Sequence, residues 1–354
     1  MPIKVGLIGY GFAAKSFHIP LISSIPDYSI IAVLQRAEAP PDPVTALPGS
    51  HCTVDLPGIR HYRTAEPFFA DSEIDLVVVA TGHDSHASFA EGALRVGKHG
   101  SIVTCFQNRR WDGDFQTLRH LLAQNALGKI MEAELHYDFE SAPWLGAMTD
   151  KHYKPGDRMA FGLGTHSLNQ AYTLFGRPTS VTGFFRNQRG IESEIEDSFT
   201  IILQYDGAQK GLLVTVKTCV VSPLARQLKQ FVRGTEGSFV KWQQRSTCPQ
   251  EEQIAAGLGP LDPQFGAEPE SLRGELTTYK ELDASVQSYD PETKKYTGLY
   301  PTITGRWMGL YEALADAIQG KAELAVRPEQ CRDVIRIIEL ARESNEKGVT
   351  IVWK

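Results

Sequence analysis

The stretch IKVGLIGYGFAA (residues 3–14) decides the fold. Its opening, Ile3–Ile8, is a short apolar run that stops at Gly9-Tyr10-Gly11. From residue 12 to residue 24 the apolar spacing becomes helical. A strand that turns through Gly9-x-Gly11-x-x-Ala14 directly into a helix has a physical logic. Gly9 permits the tight turn, Gly11 lets the backbone approach a pyrophosphate, and Ala14 lets helix and strand pack closely. Amides at the helix start favour the diphosphate charge. Alone the pattern is weak; its place between a strand and a helix makes it strong.

The neighbouring sequence continues the same alternation. Tyr28–Leu34 reads as a second strand, residues 37–58 as a loop rich in Pro, Asp and Gly, and Ile59–Tyr62 as a weak third strand. A short helix is expected at Glu66–Ala70. Ile74–Thr81 (IDLVVVAT) is nearly all apolar, as a strand covered on both faces should be. Ser85–Val96 reads as a helix and Ser101–Phe106 as a further strand, expected to pair directly beside Ile74–Thr81. This βαβαβ order predicts a Rossmann-type, doubly wound parallel sheet.

After Trp111 the texture changes. A helix over Asp114–Ala126 is followed by a strand over Ile130–Phe139 and a helix over His166–Leu174. Strand-like runs then come in succession: Ser180–Arg186, Ser198–Tyr205, Lys210–Thr218, Leu228–Arg233 and Ser238–Gln243. Their short turns predict an α+β domain with a large, mostly antiparallel sheet. Residues 246–300 are polar, with many Pro and Gly, and read as irregular. Trp307–Gln319 and Pro328–Lys347 read as two closing helices. The expected division is 1–110 and 111–354.

The 354 residues carry a formal net charge of −6, which argues against nucleic acid as the main partner. No apolar run approaches the roughly 20 residues of a membrane span, and the N-terminus lacks a signal-peptide layout. A cytoplasmic, membrane-free protein is expected. The five cysteines form no CxxC pair and read as reduced thiols, not as a disulfide frame or a metal site.

The end of the second strand bears on the cofactor. An acidic residue there would bind the ribose hydroxyls of NAD, but this chain has Gln35-Arg36. Arg36 suits a 2′-phosphate, so NADP is favoured over NAD. Gly9, Gly11, Phe12, Ala14 and Arg36 are the cofactor-binding candidates read from this half.

Four segments carry a resemblance: VGLIGYGFAAKSFHIP (5–20), IDLVVVATGHDSHASFAEGALRVGKH (74–99), FQNRRWDGDFQTLRHLLAQNALGKI (106–130) and GTHSLNQAYTLFGRP (164–178). Through them the chain resembles the glucose–fructose oxidoreductase and inositol dehydrogenase (Gfo/Idh/MocA) family over nearly its whole length. The resemblance implies hydride transfer between NAD(P) and a sugar, polyol or related carbonyl compound. It implies His166 as an acid/base residue, and Thr81 and His86 as further cofactor contacts. Asn108, Arg109 and Arg110 follow the expected last strand, where they would meet substrate oxygens or a cofactor phosphate. His136 and Asp138 match a family strand. A small-molecule substrate is expected, as is a homo-oligomer formed through the second-domain sheet.

Departures from the family pattern are as informative. The family's Glu-Lys-Pro segment, with a strand and a helix, has no counterpart after Gly97-Lys98-His99; the gap is on the order of 20–25 residues, one crossover unit. Its lysine normally contacts both cofactor and reacting hydroxyl. Lys98 does not replace it. It ends a crossover helix that runs back from the cofactor side, about 15–20 Å away, and more naturally caps that helix. The family's Asp-x-x-x-His becomes Gly162-Leu163-Gly164-Thr165-His166, so the histidine stays and the carboxylate is lost. Two readings follow: an oxidoreductase with a depleted active site, or a catalytically inactive NAD(P)-binding regulatory or partner protein.

Overall fold

The structure is a computed structural model that describes all residues except 97–101, 141–144, 148–150, 155, 157–158 and 244–248. The expected role of Lys98 therefore lies outside the described residues, as do Ser101 and Cys248. Contacts divide the chain into two compact units. The first comprises Met1–Thr104, Gly257–Pro263 and Trp307–Ala325; the second comprises Cys105–Ala256, Gln264–Arg306 and Val326–Lys354.

In the first unit four strands, β1 (Ile3–Ile8), β2 (Tyr28–Leu34), β3 (Arg60–Tyr62) and β4 (Leu76–Val79), form a parallel sheet in the order β3-β2-β1-β4. Both faces are covered. Leu7 and Val33 pack with Ala14, Cys52 and Ala80, while Ile8, Ala32 and Leu34 pack with Phe68 and Ile74. Alternate residues of one strand thus feed two cores, which is why these runs are almost uninterruptedly apolar. The helix Met308–Ile318 belongs to this unit. Its Tyr311 is buried, bonded through its hydroxyl to His18 Nδ1 at 2.6 Å, and its carbonyl accepts the Tyr28 hydroxyl at 2.7 Å. The fully buried Trp307 sets its ring edge-on to Phe17.

The strand expected over Ser101–Phe106 is not formed over the described residues 102–106. Residues 102–107 have no regular structure, and β4 has no second sheet partner among the described residues. The physical reason lies in the helix before it. Helix His83–Arg95 fully buries none of its side chains, Phe89 packing only partly buried against the sheet core, and Ile102 and Val103 are each 39% exposed. Apolar character alone does not dock a strand that no buried helix face presses onto the sheet.

The second unit is built on ten strands: β5 (Ile130–His136), β6 (Ser180–Arg186), β7 (Ser198–Gln204), β8 (Leu213–Cys219), β9 (Gln227–Gly234), β10 (Gly237–Gln243), β11 (Gly274–Thr278), β12 (Ser288–Asp290), β13 (Lys295–Tyr300) and β14 (Ile351–Val352). Their order is β12-β13-β11-β10-β9-β5-β8-β7-β6-β14, antiparallel except for β5 beside β8. One face is covered by helices Gly113–Ala123, Thr165–Phe175 and Pro328–Lys347. Leu118, Leu121, Leu168, Ala171, Val334 and Ile337 meet Leu135, Ile201 and Val214 there. At Gly183 a Cβ would collide with the Ala341 carbonyl, so glycine lets the last helix lie backbone-close on β6.

Residues 246–300, read as irregular, contain helix Pro249–Ala255 and strands β11 to β13. GELTT and KYTGLY mix polar residues and glycine near the sheet's margin, so they lack the apolar run of a central strand. Beneath β10 lies a buried ion pair. Lys241 is fully buried and its ammonium bonds Glu268 and the Leu272 carbonyl. Burial raises the Glu268 carboxyl above its ordinary range, against the pull of Lys241.

Candidate functional site

The first unit assembles a turn built for a dinucleotide. The Gly9 amide donates to Leu34 O at 2.9 Å and the Ala80 amide to Ile8 O at 2.8 Å, so the turn sits between β2 and β4. Gly9 has φ +98°, and a Cβ there would stand 2.7 Å from Ala80 O. Only glycine satisfies both conditions. A Cβ on Gly11, by contrast, would meet no atom of the described residues within 4 Å. The protein leaves that side of the backbone open, as a pyrophosphate requires. Ala14 is fully buried beneath the turn, and Phe12 is 73% exposed with its ring edge-on to Phe17.

Two hydrogen bonds fasten the following loop to this turn: Tyr10 donates to Asp55 Oδ2 at 2.5 Å, and Lys15 Nζ to Gly49 O at 3.0 Å. At the end of β2, the Gln35 side chain accepts the Cys52 amide at 2.9 Å and so starts helix Cys52–Asp55. Arg36 is exposed, and its guanidinium makes no ion pair among the described residues. The nearby Glu38 is already paired with Arg63 at 2.6 Å. An unengaged guanidinium at this position matches the charge of a 2′-phosphate.

At the start of helix His83–Arg95, Ser85 Oγ donates to Thr81 Oγ1 at 2.8 Å, and His86 Nε2 lies 3.0 Å from Thr81 O. Thr81 and His86 are therefore brought together, with the imidazole tying down the turn. Near His86 stands His18, which sequence reasoning passed over. Burial and then the charge of His86 push its pKa down to about 4, so it stays neutral beside Tyr311.

The second unit carries the remaining candidates. His166 is half-buried on the first turn of helix Thr165–Phe175, directly after a π-helical turn over Ala160–Gly164. Gly162 lies in that turn, where a Cβ would meet no atom of the described residues within 4 Å. Asn108, Arg109 and Arg110 share a 3₁₀ turn, Asn108–Trp111, and all three are buried. The structure gives both arginines a task within the fold. Arg109 bonds the Tyr137 hydroxyl and Glu251 Oε1 (2.6 Å to the latter), and its carbonyl accepts Gln170 Nε2 at 2.9 Å. Arg110 donates to Asn169 Oδ1 at 2.7 Å and Gln330 Oε1 at 3.0 Å. Tyr137, Glu251 and Gln330 carried no sequence signal, because each comes from a distant element.

His136 and Asp138 do come together, on the sheet face opposite the helices. His136 is bracketed by Glu134 and Asp138, each 3.0 Å away, and Lys217 of β8 donates to Glu134 at 2.9 Å. The bond from His136, opposed by burial and reinforced by Lys217, pulls the Glu134 carboxyl to about 2. His136 is raised despite its burial, because two carboxylates favour the charged ring. The i, i+2, i+4 spacing of Glu134, His136 and Asp138 was the available signal.

A parallel sheet with a glycine turn at one strand end, and a large one-face-covered sheet in the second unit, define the class of dinucleotide-binding oxidoreductases. Residues 3–102 match the oxidoreductase family model with NAD-binding Rossmann fold, and residues 115–240 match the GFO/IDH/MocA C-terminal domain. An oxidoreductase of Schizosaccharomyces pombe is 32% identical, over 99% of this chain and 99% of its own length. The scyllo-inositol 2-dehydrogenase (NADP(+)) of Bacillus subtilis is 27% identical, over 99% and 96%. A solved Bacillus subtilis oxidoreductase structure superposes with a TM-score of 0.83 at 26% identity, covering all of both chains. The chain belongs to the Gfo/Idh/MocA family of NAD-binding oxidoreductases. Among the described residues, no helix is long and apolar enough to cross a membrane.

Proposed function

We propose that the chain is an NADP-linked oxidoreductase acting on a secondary hydroxyl, or the matching carbonyl, of a sugar or polyol. The observation that carries this is the unengaged Arg36 beside a turn that only glycine can form at Gly9. The likeness to an NADP-dependent inositol dehydrogenase supports the same cofactor and substrate class. When bound, NADP supplies the hydride acceptor. Gly9, Gly11 and Ala14 shape the pyrophosphate turn, Phe12 stands at its mouth, and Arg36 pairs with the 2′-phosphate. His166 exchanges the proton of the reacting hydroxyl, without the carboxylate that Gly162 replaces. Arg109 and Arg110 hold the 3₁₀ turn that presents Asn108.

The purified protein is expected to bind NADPH in the micromolar range and to oxidise a member of a polyol and sugar panel. His166→Ala should lower turnover about 10²–10⁴-fold with coenzyme binding unchanged. A second reading, a coenzyme-binding protein without turnover, is favoured by the missing lysine segment and by Gly162. Tight NADPH binding with no reaction across the panel selects that reading; failure to bind either coenzyme at millimolar concentration removes both.

Arg36→Ala provides a separate check on coenzyme choice. A charge-assisted contact is worth about 1.5–3 kcal/mol, so NADP affinity should fall roughly 10- to 100-fold while NAD affinity stays level. Equal losses for both coenzymes, measured by calorimetry, would remove the 2′-phosphate assignment.

A further inference from the structure

The fold brings His61 of β3 to the adjacent pair His51-Cys52 at the start of helix Cys52–Asp55. His51, Cys52 and His61 each direct one potential ligand atom to a common point, all within 4.8 Å of one another. His51 and Cys52 are buried, His61 half-buried. His51 Nδ1 lies 3.9 Å from Cys52 Sγ, and the two imidazoles meet edge to face at 4.5 Å. Bonds of about 2.0–2.3 Å in a tetrahedral zinc site place ligand atoms about 3.5 Å apart, so small side-chain rotations close this one.

The hydrogen bonds outside the cluster have the form that metal-binding imidazoles need. His61 Nε2 lies 2.9 Å from Gln35 O, and His51 Nε2 lies 3.4 Å from Ala37 O. Each ring thus has one nitrogen directed at a backbone carbonyl, which fixes its tautomer and leaves the other lone pair for a ligand. His51 Nδ1 meanwhile accepts the Thr53 amide at 3.2 Å and lies 2.9 Å from Thr53 Oγ1, two contacts the cation would replace. Two imidazoles and a thiolate form a borderline-soft donor set, which zinc prefers over magnesium or calcium.

We propose that His51, Cys52 and His61 bind one zinc ion, with the fourth position taken by water. Binding releases the Cys52 thiol proton to solvent. The ion clasps the end of the 37–51 loop to β3 at His61. That loop and the short helix after it are also tied to the coenzyme turn, through Gly49 and Asp55. The role is a structural clasp, independent of the reaction.

The test uses the full-length, reduced, chelator-stripped protein titrated with cobalt chloride and then zinc chloride. One equivalent of cobalt should produce a thiolate-to-cobalt absorption band and tetrahedral d–d bands. Zinc should bleach both and raise Tm. Cys52→Ala should lose the thiolate band, and His61→Asn should weaken zinc binding at least ~10-fold while keeping the parent circular dichroism spectrum. His61 is half-buried, so that variant decides the matter even if Cys52→Ala misfolds. A folded parent with no thiolate band in excess cobalt overturns the proposal. So does a band that persists in Cys52→Ala, or unchanged zinc affinity in His61→Asn.

Discussion

Gly11→Ala should leave Tm unchanged and lower NADPH affinity about 100-fold, whereas Gly9→Val should lower both. The two glycines share a motif but differ in what surrounds them. A methyl on Gly11 enters open space and strains nothing in the protein. Its cost falls on a pyrophosphate brought against that backbone, and a 100-fold loss corresponds to about 2.7 kcal/mol. Gly9 is the opposite case, with φ +98° and Ala80 O 2.7 Å from any added Cβ. A β-branched residue forced into that region costs at least about 1–3 kcal/mol before the collision is counted. Thermal denaturation beside calorimetry separates the two. If Gly11→Ala binds NADPH like the parent, the pyrophosphate does not lie on this turn.

Lys241→Met should destabilise the second unit by about 3–5 kcal/mol, while Lys241→Met with Glu268→Leu recovers most of that loss. With the ammonium gone, the Glu268 carboxyl remains almost fully buried, and the Leu272 carbonyl loses its donor. Asp114 adds an unfavourable charge to the same carboxyl. Removing both members eliminates the uncompensated charge together with the desolvation that it required. The comparison is a drop in Tm on the order of 10 °C for the single variant and a few degrees for the double. A double variant as unstable as the single one would mean that Lys241 acts through its packing and not through the pair.

Much of this architecture was legible because local rules and tertiary packing agree. Ile3–Ile8 and Gly9 show both periodicity and turn chemistry, and the strand and helix appear where those signals place them. The failures have identifiable causes. Residues 102–106 have a strand's composition but pair with no strand among the described residues, and Ile102 and Val103 stay partly in water. Strands β11 to β13 were hidden because short runs rich in polar residues look like loops. Arg109 and Arg110 have the residue type of anion binders, yet partners such as Glu251 and Gln330 lie far along the chain. His51 and Cys52 are adjacent and His61 follows a loop, a spacing no zinc pattern flags.

The packing of Tyr311 against His18 and Tyr28, with Trp307 against Phe17, has a temporal consequence. A nascent chain emerging from the ribosome can pair β1 and β2 early. It cannot seal that nucleus until the residues around 307–325 have been synthesised. Vectorial maturation, in which a leading domain finishes before its successor is translated, is closed to this polypeptide. Its amino-terminal unit must wait, partly unsealed, until most of the second unit has been translated.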